Sequence, residues 1–336
     1  MLKRFIALLT IVLMVVGLAG CSQTNTTSVN PDEQTPEKIT FVLDWTPNTN
    51  HTGVYVAQEL GYFKEAGLEV EIIQPPEGGA LPLVAGGKAE FSVSFQEEIA
   101  AAITSDSPLD VVAVGTILQH NTSGIISLKK DNIVSPKDME NKVYATWDTP
   151  IEKAILNQVI TTDGGNYDNV TMIPSTVTDV ISALQSNIDC VWIYYGWDGV
   201  ATQLKGLDTN FFAFKDKDPV LDYYTPVIAA SPAYLNENGD TAKKFLAAVA
   251  QGYDYAIKNP EDAAKVLVKH VPEVDIELAT ASQNYLADQY KAEVEQWGYI
   301  DPKRWDAFYT WMYENQLISK KLEAGKGFTN DYLPTS

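Results

Sequence analysis

Asp44-Trp45-Thr46-Pro47-Asn48-Thr49-Asn50-His51-Thr52-Gly53 puts an aromatic plate, several hydrogen-bonding side chains and a helix start into one short turn. Trp45 is equipped to stack on a planar molecule, with Asp44, Asn48 or His51 reading its edge. The same residues also suit a purely local role, with Asp44 and Asn48 capping a helix and Trp45 filling core. A second cluster, Ser94-Phe95-Gln96-Glu97-Glu98, closes an apolar run and opens a helix. There Gln96 and Glu97 are ligand candidates, and paired acids at a helix N-terminus are equally what its dipole favours. The densest aromatic stretch is Trp192-Ile-Tyr194-Tyr195-Gly196-Trp197-Asp198-Gly199. Tyr194, Tyr195, Trp197 and Asp198 leave the end of an alternating run beside glycines, as pocket residues do. Trp147 would supply an opposite wall, joined by Tyr223 or Tyr224.

Tryptophan and tyrosine faces bind flat conjugated rings, and a carboxylate pairs bidentately with an amidine-like edge. A nitrogen heteroaromatic, such as an aminopyrimidine, is therefore the expected ligand. A strongly anionic solute would call for Arg or Lys, and the three clusters contain neither. Nitrate and sulfonate are accordingly disfavoured, although helix N-termini can hold anions without basic side chains.

The chain that must position these groups has 336 residues, 45% of them apolar and 20% charged, the balance of a globular protein of one large or two moderate domains. It carries 24 Lys+Arg against 44 Asp+Glu, a formal charge of −20. Without Lys3 and Arg4 the count is 22 against 44, or −22. Such a surface repels phosphate backbones, so no nucleic-acid partner is expected. Three histidines (His51, His120, His270) and two cysteines (Cys21, Cys190) argue against a zinc or dithiol centre and against an internal disulfide, and neither metal nor cofactor is expected. No phosphate loop, G-x-S-x-G elbow or H-E-x-x-H pair is present.

Lys3-Arg4, the apolar run Phe5 to Ala19 and Leu18-Ala19-Gly20-Cys21 have the form of a bacterial lipoprotein leader, residues 1–20, cut before Cys21, the lipidation site. Residues 21–37 continue as a polar, proline-containing tether. The expected location is the outer face of the cell membrane, held by the lipid alone.

From Lys38 onward strand and helix patterns alternate: Lys38–Leu43, Val54–Leu60, Leu68–Ile73, Leu81–Ala85, Phe91–Ser94 and a helix from Gln96 or Glu97 to Thr104, then Asp110–Ile117 and Gly124–Leu128. A second series begins near Lys142 with Val143–Trp147, Ile151–Ile160, Val170–Ile173, Val177–Gln185 and Cys190–Tyr194. Val227–Ser231 reads as a returning strand, and helical patterns at Ala242–Ile257, Pro260–His270, Ile276–Trp297 and Pro302–Gln316 follow. The expectation is an α/β fold of two lobes, 38–128 plus 230–336 and 129–229, with mostly parallel sheets and a cleft at their strand ends.

Ile39-Thr-Phe-Val-Leu-Asp-Trp-Thr-Pro-Asn48, His51-Thr-Gly-Val-Tyr-Val-Ala57, Gly61-Tyr-Phe-Lys-Glu-Ala-Gly-Leu68, Gly87-Lys-Ala-Glu90 and Tyr194-Tyr-Gly-Trp-Asp198 resemble the Thi5-like family of thiamine-pyrimidine proteins. The resemblance covers roughly Lys38 to Asn315. It implies a type II periplasmic-binding (Venus-flytrap) fold and, in members of the ThiY type, a lipoprotein of an ABC importer that captures formylaminopyrimidine for thiamine salvage. Its partners would be that heteroaromatic solute, a permease and an ATPase subunit, and the chain would act as a monomer. Another flat heterocycle such as riboflavin is the alternative cargo. The family also includes a pyrimidine synthase that works through a pyridoxal phosphate-linked lysine and a histidine. Those positions fall here at Ser94 and Glu98, and Tyr223-Tyr-Thr-Pro-Val-Ile-Ala-Ala230 stands where the synthase has its cysteine-rich motif. Serine forms no Schiff base and glutamate does no imidazole chemistry, so the chain is expected not to be an enzyme.

Overall fold

The computed structural model describes residues 35–335; the expected leader, Cys21 and most of the tether lie outside the described residues. Pro36–Ser336 forms one compact unit built on two five-stranded sheets. The first contains β1 (Glu37–Val42), β2 (Leu68–Ile73), β3 (Phe91–Ser94), β4 (Val112–Thr116) and β10 (Val227–Ala230) in the order β2-β1-β3-β10-β4. The second contains β5 (Ser123–Leu128), β6 (Val143–Thr146), β7 (Thr171–Pro174), β8 (Cys190–Tyr194) and β9 (Thr209–Ala213) in the order β7-β6-β8-β5-β9.

Each sheet is parallel except for one strand. β10 runs antiparallel to β3 and β4, and β5 runs antiparallel to β8 and β9. Both odd strands arrive from the other lobe. A chain that leaves one sheet at its C-terminal edge meets the other at that same edge, so it must enter running against its neighbours. This corrects the expected lobe boundaries. β5 was assigned to the first lobe, and its register of Ile125 opposite Trp192 places it in the second. The residues of β10 before 230 move to the first, where Ala229 pairs with Ser92. The crossings are therefore 117–122 and 214–226, and the second contains a cis Thr225-Pro226 peptide.

β3 is buried on both faces, and alternation along β1 and β3 sends Phe41 and Phe91, paired in register, to the same one. Phe41 and Phe91 reach the long helix Gly239–Lys258, where Phe245 stacks 4.2 Å from Phe91 and 5.7 Å from Phe41. That helix also crosses Thr52–Glu59 at glycines. A Cβ on Gly252 would sit 1.9 Å from the Gly53 carbonyl oxygen, and one on Gly53 would sit 2.4 Å from the Tyr253 ring. Gly252→Ala is expected to cost about 3 kcal/mol by forcing the helices apart, read as a lower urea midpoint at unchanged slope.

One helical expectation changes. Ile276–Trp297 was read as one helix, and it ends at Ala287. Residues 288–297 are instead held by distant groups: Gln119 N–H donates to Gln289 O at 2.9 Å, and Trp297 stacks on Tyr253 at 4.5 Å. β9 was not foreseen; it is an edge strand whose half-buried Thr209–Phe211 give a weak apolar signal. Among the described residues no helix is long and apolar enough to cross a membrane.

Candidate functional site

The turn after β1 is organised around a histidine with no exposed surface. The Asn48 backbone N–H donates to His51 Nδ1 at 3.1 Å, so Nε2 carries the ring proton and donates it to Asp44 Oδ1 at 2.6 Å. The Asp44 side chain keeps 10% exposure, and its charge is felt by Tyr194 of the other lobe. Asn48 caps the short helical turn Thr49–His51: its Oδ1 accepts from Asn50 N–H and its Nδ2 donates to Thr46 O. Asn48 thus orients the turn with its own amide. Trp45 does not fill core; it is 55% exposed.

In the second cluster the two neighbouring side chains do different things. Gln96 was expected to face the cleft, and the structure corrects this. It is fully buried, its Nε2 donates to Trp305 O at 3.0 Å and its Oε1 accepts from Tyr224 N–H at 2.8 Å. Gln96 ties the start of helix Gln96–Thr104 to the second crossing and to helix Pro302–Glu314. Tyr224 is corrected in the same way. Its hydroxyl accepts from Asp301 N–H at 2.8 Å and its ring lies 4.2 Å under the Arg304 guanidinium. The adjacent Tyr223, on the opposite side of an extended segment, is the one that neighbours Glu97 and Tyr194.

Glu97 has a buried Oε2 with no hydrogen-bond partner. Burial, reinforced by Glu98, pushes its carboxyl up to about 8. Glu98 itself is exposed in the cleft wall and accepts from Ser94 Oγ at 3.0 Å. From the facing lobe comes Tyr194, at the end of β8, whose phenol is pushed up by burial and then by Glu97, Asp44 and Glu98. The structure therefore brings Asp44, Glu97 and Tyr194 together across the lobes, with Glu98 and Tyr223 beside them. Every charge that raises these groups is an acid. Sequence reading passed over Thr225, whose buried Oγ1 lies beside the Tyr194 phenol. The signal was a polar residue between tyrosines and a proline just before a buried strand.

Beyond Tyr194 the chain makes a π-helical turn, Tyr195–Gly199, a form that recurs where side chains are re-aimed at sites. It holds Asp198 half-buried, where burial and then Asp179 push the carboxyl up to about 6. Trp197 is half-buried on the same turn. Tyr195 is turned away from the cleft, correcting the expectation. Its hydroxyl accepts from Gln203 Nε2 at 2.6 Å and its ring packs 4.7 Å from Phe211 and 5.2 Å from Tyr285.

Trp147 follows β6 and is 39% exposed, its ring 5.6 Å from Trp192. Glu152 fixes this corner: its buried carboxylate accepts from Tyr144 Oη at 2.6 Å, Thr146 Oγ1 at 2.7 Å and Trp147 N–H at 3.2 Å. Glu152→Leu would strand those donors and is expected to destabilise the protein by about 3 kcal/mol, measured by thermal unfolding. A separate depression of about 630 Å³, lined by residues including Leu109, Val111 and Lys326, contains none of these side chains.

Comparisons with known proteins agree with this architecture. The formylaminopyrimidine-binding protein of Halalkalibacterium halodurans is 26% identical over 329 residues, spanning 96% of this chain and 98% of that one. The 4-amino-5-hydroxymethyl-2-methylpyrimidine phosphate synthase THI11 of Saccharomyces cerevisiae is 20% identical over 319 residues, 88% of each chain. Among solved structures, the alkanesulfonate-binding protein SsuA from Xanthomonas axonopodis pv. citri superposes with a TM-score of 0.66 at 12% identity, over 88% of this chain and 99% of that one. The fold is therefore the two-lobed periplasmic-binding fold. The model of the family described as NMT1/THI5 like matches residues 48–263, more than half of the sequence, and the chain belongs to that family.

Proposed function

We propose that this protein is the lipid-anchored, extracytoplasmic substrate-binding component of an ABC importer and captures a thiamine pyrimidine precursor of the formylaminopyrimidine type for salvage. The observation that carries this reading is the meeting of Asp44, Glu97 and Tyr194 across the two lobes, with exposed Trp45 and Trp147 beside the same strand ends. Carboxylates read the amino and ring-nitrogen edge of an aminopyrimidine, while the aromatic residues supply stacking faces. Closure is then selected because the ligand touches both lobes. The long match to a formylaminopyrimidine-binding protein supports the same cargo. Three neighbouring acids make a poor seat for a sulfonate, despite the fold shared with an alkanesulfonate-binding protein.

The synthase reading is set aside on chemistry. Ser94 donates to Glu98 at the positions that correspond to the enzyme's lysine and histidine, and that pair offers neither an amine nor an imidazole. Calorimetry on the full chain with formylaminopyrimidine, its hydroxymethyl analogue, thiamine and riboflavin tests the proposal. One-to-one binding of formylaminopyrimidine in preference to the others is expected, with quenching of tryptophan fluorescence as Trp45 or Trp147 is covered. Selective riboflavin binding would overturn the cargo, and no heat from any of the four would overturn the binding function.

A further inference from the structure

Counting the donors around Glu97 shows what its orphan oxygen is missing. Ser94 Oγ–H is spent on Glu98 Oε2. Tyr309 Oη–H is spent on Gln96 O at 3.1 Å. The Gln96 amide is spent on Trp305 and Tyr224. The groups that face Glu97 are Glu98 on its own helix, Tyr194 from β8, Tyr223 from the second crossing and Tyr309 from helix Pro302–Glu314, with Asp44 completing the acids around Tyr194. No lysine, arginine or histidine is among them. The Glu97 backbone N–H favours the charged form, but burial, reinforced by Glu98, outweighs it and holds the carboxyl neutral, with Oε2 unpartnered.

We propose that Glu97 enters the complex as a carboxylic acid and shares its single proton with a ring acceptor of an electrically neutral heterocycle, which makes capture proton-linked. This rests on the pyrimidine reading above and adds the charge state in which the ligand is taken. The proton balance is simple. Where free Glu97 is protonated the proton is already in place, and none is exchanged. Where free Glu97 is ionised, one proton is drawn from solvent as the ligand binds. Since burial pushes the Glu97 carboxyl up to about 8, uptake should rise from near zero at neutral pH toward one proton per ligand on the alkaline side. Affinity should fall by about tenfold per pH unit there, the slope of a one-proton linkage.

The test is calorimetry with formylaminopyrimidine between pH 7 and 9.5, in paired buffers of different ionisation enthalpy. The difference in heat between the buffers counts protons directly. Glu97→Gln keeps the shape and a donor but has no titrating proton, so its affinity should be level over the same range. Slopes from other groups, such as His120 at the crossing, persist in that variant and are subtracted. Rising uptake in the parent and none in Glu97→Gln is the expected result. Binding with equal heats in both buffers at every pH, or proton release near neutrality, would overturn the inference and leave the pyrimidine reading intact. Absence of binding by the parent protein would overturn that reading and this inference with it.

Discussion

Asp44→Ala is expected to weaken formylaminopyrimidine binding by about 100-fold and to lower stability by about 3 kcal/mol. The two losses have one origin. Asp44 is the acceptor for a histidine with no exposed surface, and without it the His51 Nε2–H is a buried donor facing nothing. The ring would then rotate or admit water, and the Asn48 turn that it anchors through Nδ1 would loosen. Asp44→Asn separates the effects. An amide oxygen can still accept from His51, so the midpoint of urea unfolding should stay within about 1 kcal/mol of the parent, while loss of the charge at the cleft still weakens binding. If Asp44→Asn binds as tightly as the parent, Asp44 is a scaffold residue alone.

The second large effect is expected where the chain crosses between lobes. His120 Nδ1 meets Asp222 Oδ2 at 2.6 Å, its Nε2 meets Glu293 Oε2 at 2.8 Å, and Arg304 Nη1 donates to Asp222 Oδ2 at 3.0 Å. Asp222 thus serves an imidazolium, a guanidinium and, through Oδ1, the Asn121 N–H at 3.0 Å. Removing it leaves these partly buried donors without their shared acceptor, so Asp222→Ala should cost about 3 kcal/mol or more. The same cluster gives a pH profile. The Asp222 contact raises His120 above its ordinary value against the opposing effect of burial. Burial is the largest single influence on Asp222 and Glu293 and works to raise both, but it is outweighed at Asp222 by His120, the Asn121 N–H and Arg304 together, and at Glu293 by its own backbone N–H, His120 and Arg304 together, so both lie below their ordinary values. The histidine contribution is complete below its unfolded pKa of about 6.5 and disappears as pH rises through the higher folded value. The carboxylate contributions are complete above about 4.5 and disappear as pH falls through the lowered values. Stability from this cluster should therefore peak between about pH 4.5 and 6.5, and His120→Asn should flatten the alkaline side of a melting-temperature profile. An unchanged profile in that variant would remove His120 from the account.

Much of this was legible from local pattern. Leu68–Ile73, Phe91–Ser94 and Cys190–Tyr194 have the boundaries that their apolar patterns give, and the helix expected from Gln96 or Glu97 starts at Gln96, because burial of a short segment is written in its own residues. Tyr194 and Glu97 were legible as well, since both stand at strand exits beside a turn or helix start. What was hidden depends on partners far away in sequence. Gln96 looks like a cleft residue until Trp305 takes its amide from 209 positions away. Ile276–Trp297 looks like one helix until Tyr290, Glu293 and Trp297 are drawn to separate places in the first lobe and the crossing. The lobe boundary was missed because a strand's pattern records that it is buried, not which sheet buries it.

The two crossings are stitched side to side. Asn121 donates its backbone N–H to Asp222 and its side chain to Leu221 O at 2.9 Å, and His120 is bound to Asp222 alongside. Two straps fastened edge to edge behave as a leaf spring, which flexes about one axis and resists torsion. Swivelling the lobes would shear the Asn121 bonds, whereas bending leaves them intact. Closure about that axis would bring the residues of the two walls together along a single arc and in one alignment, so that recognition would be settled by the shape of the ligand and not by a search over orientations of the halves.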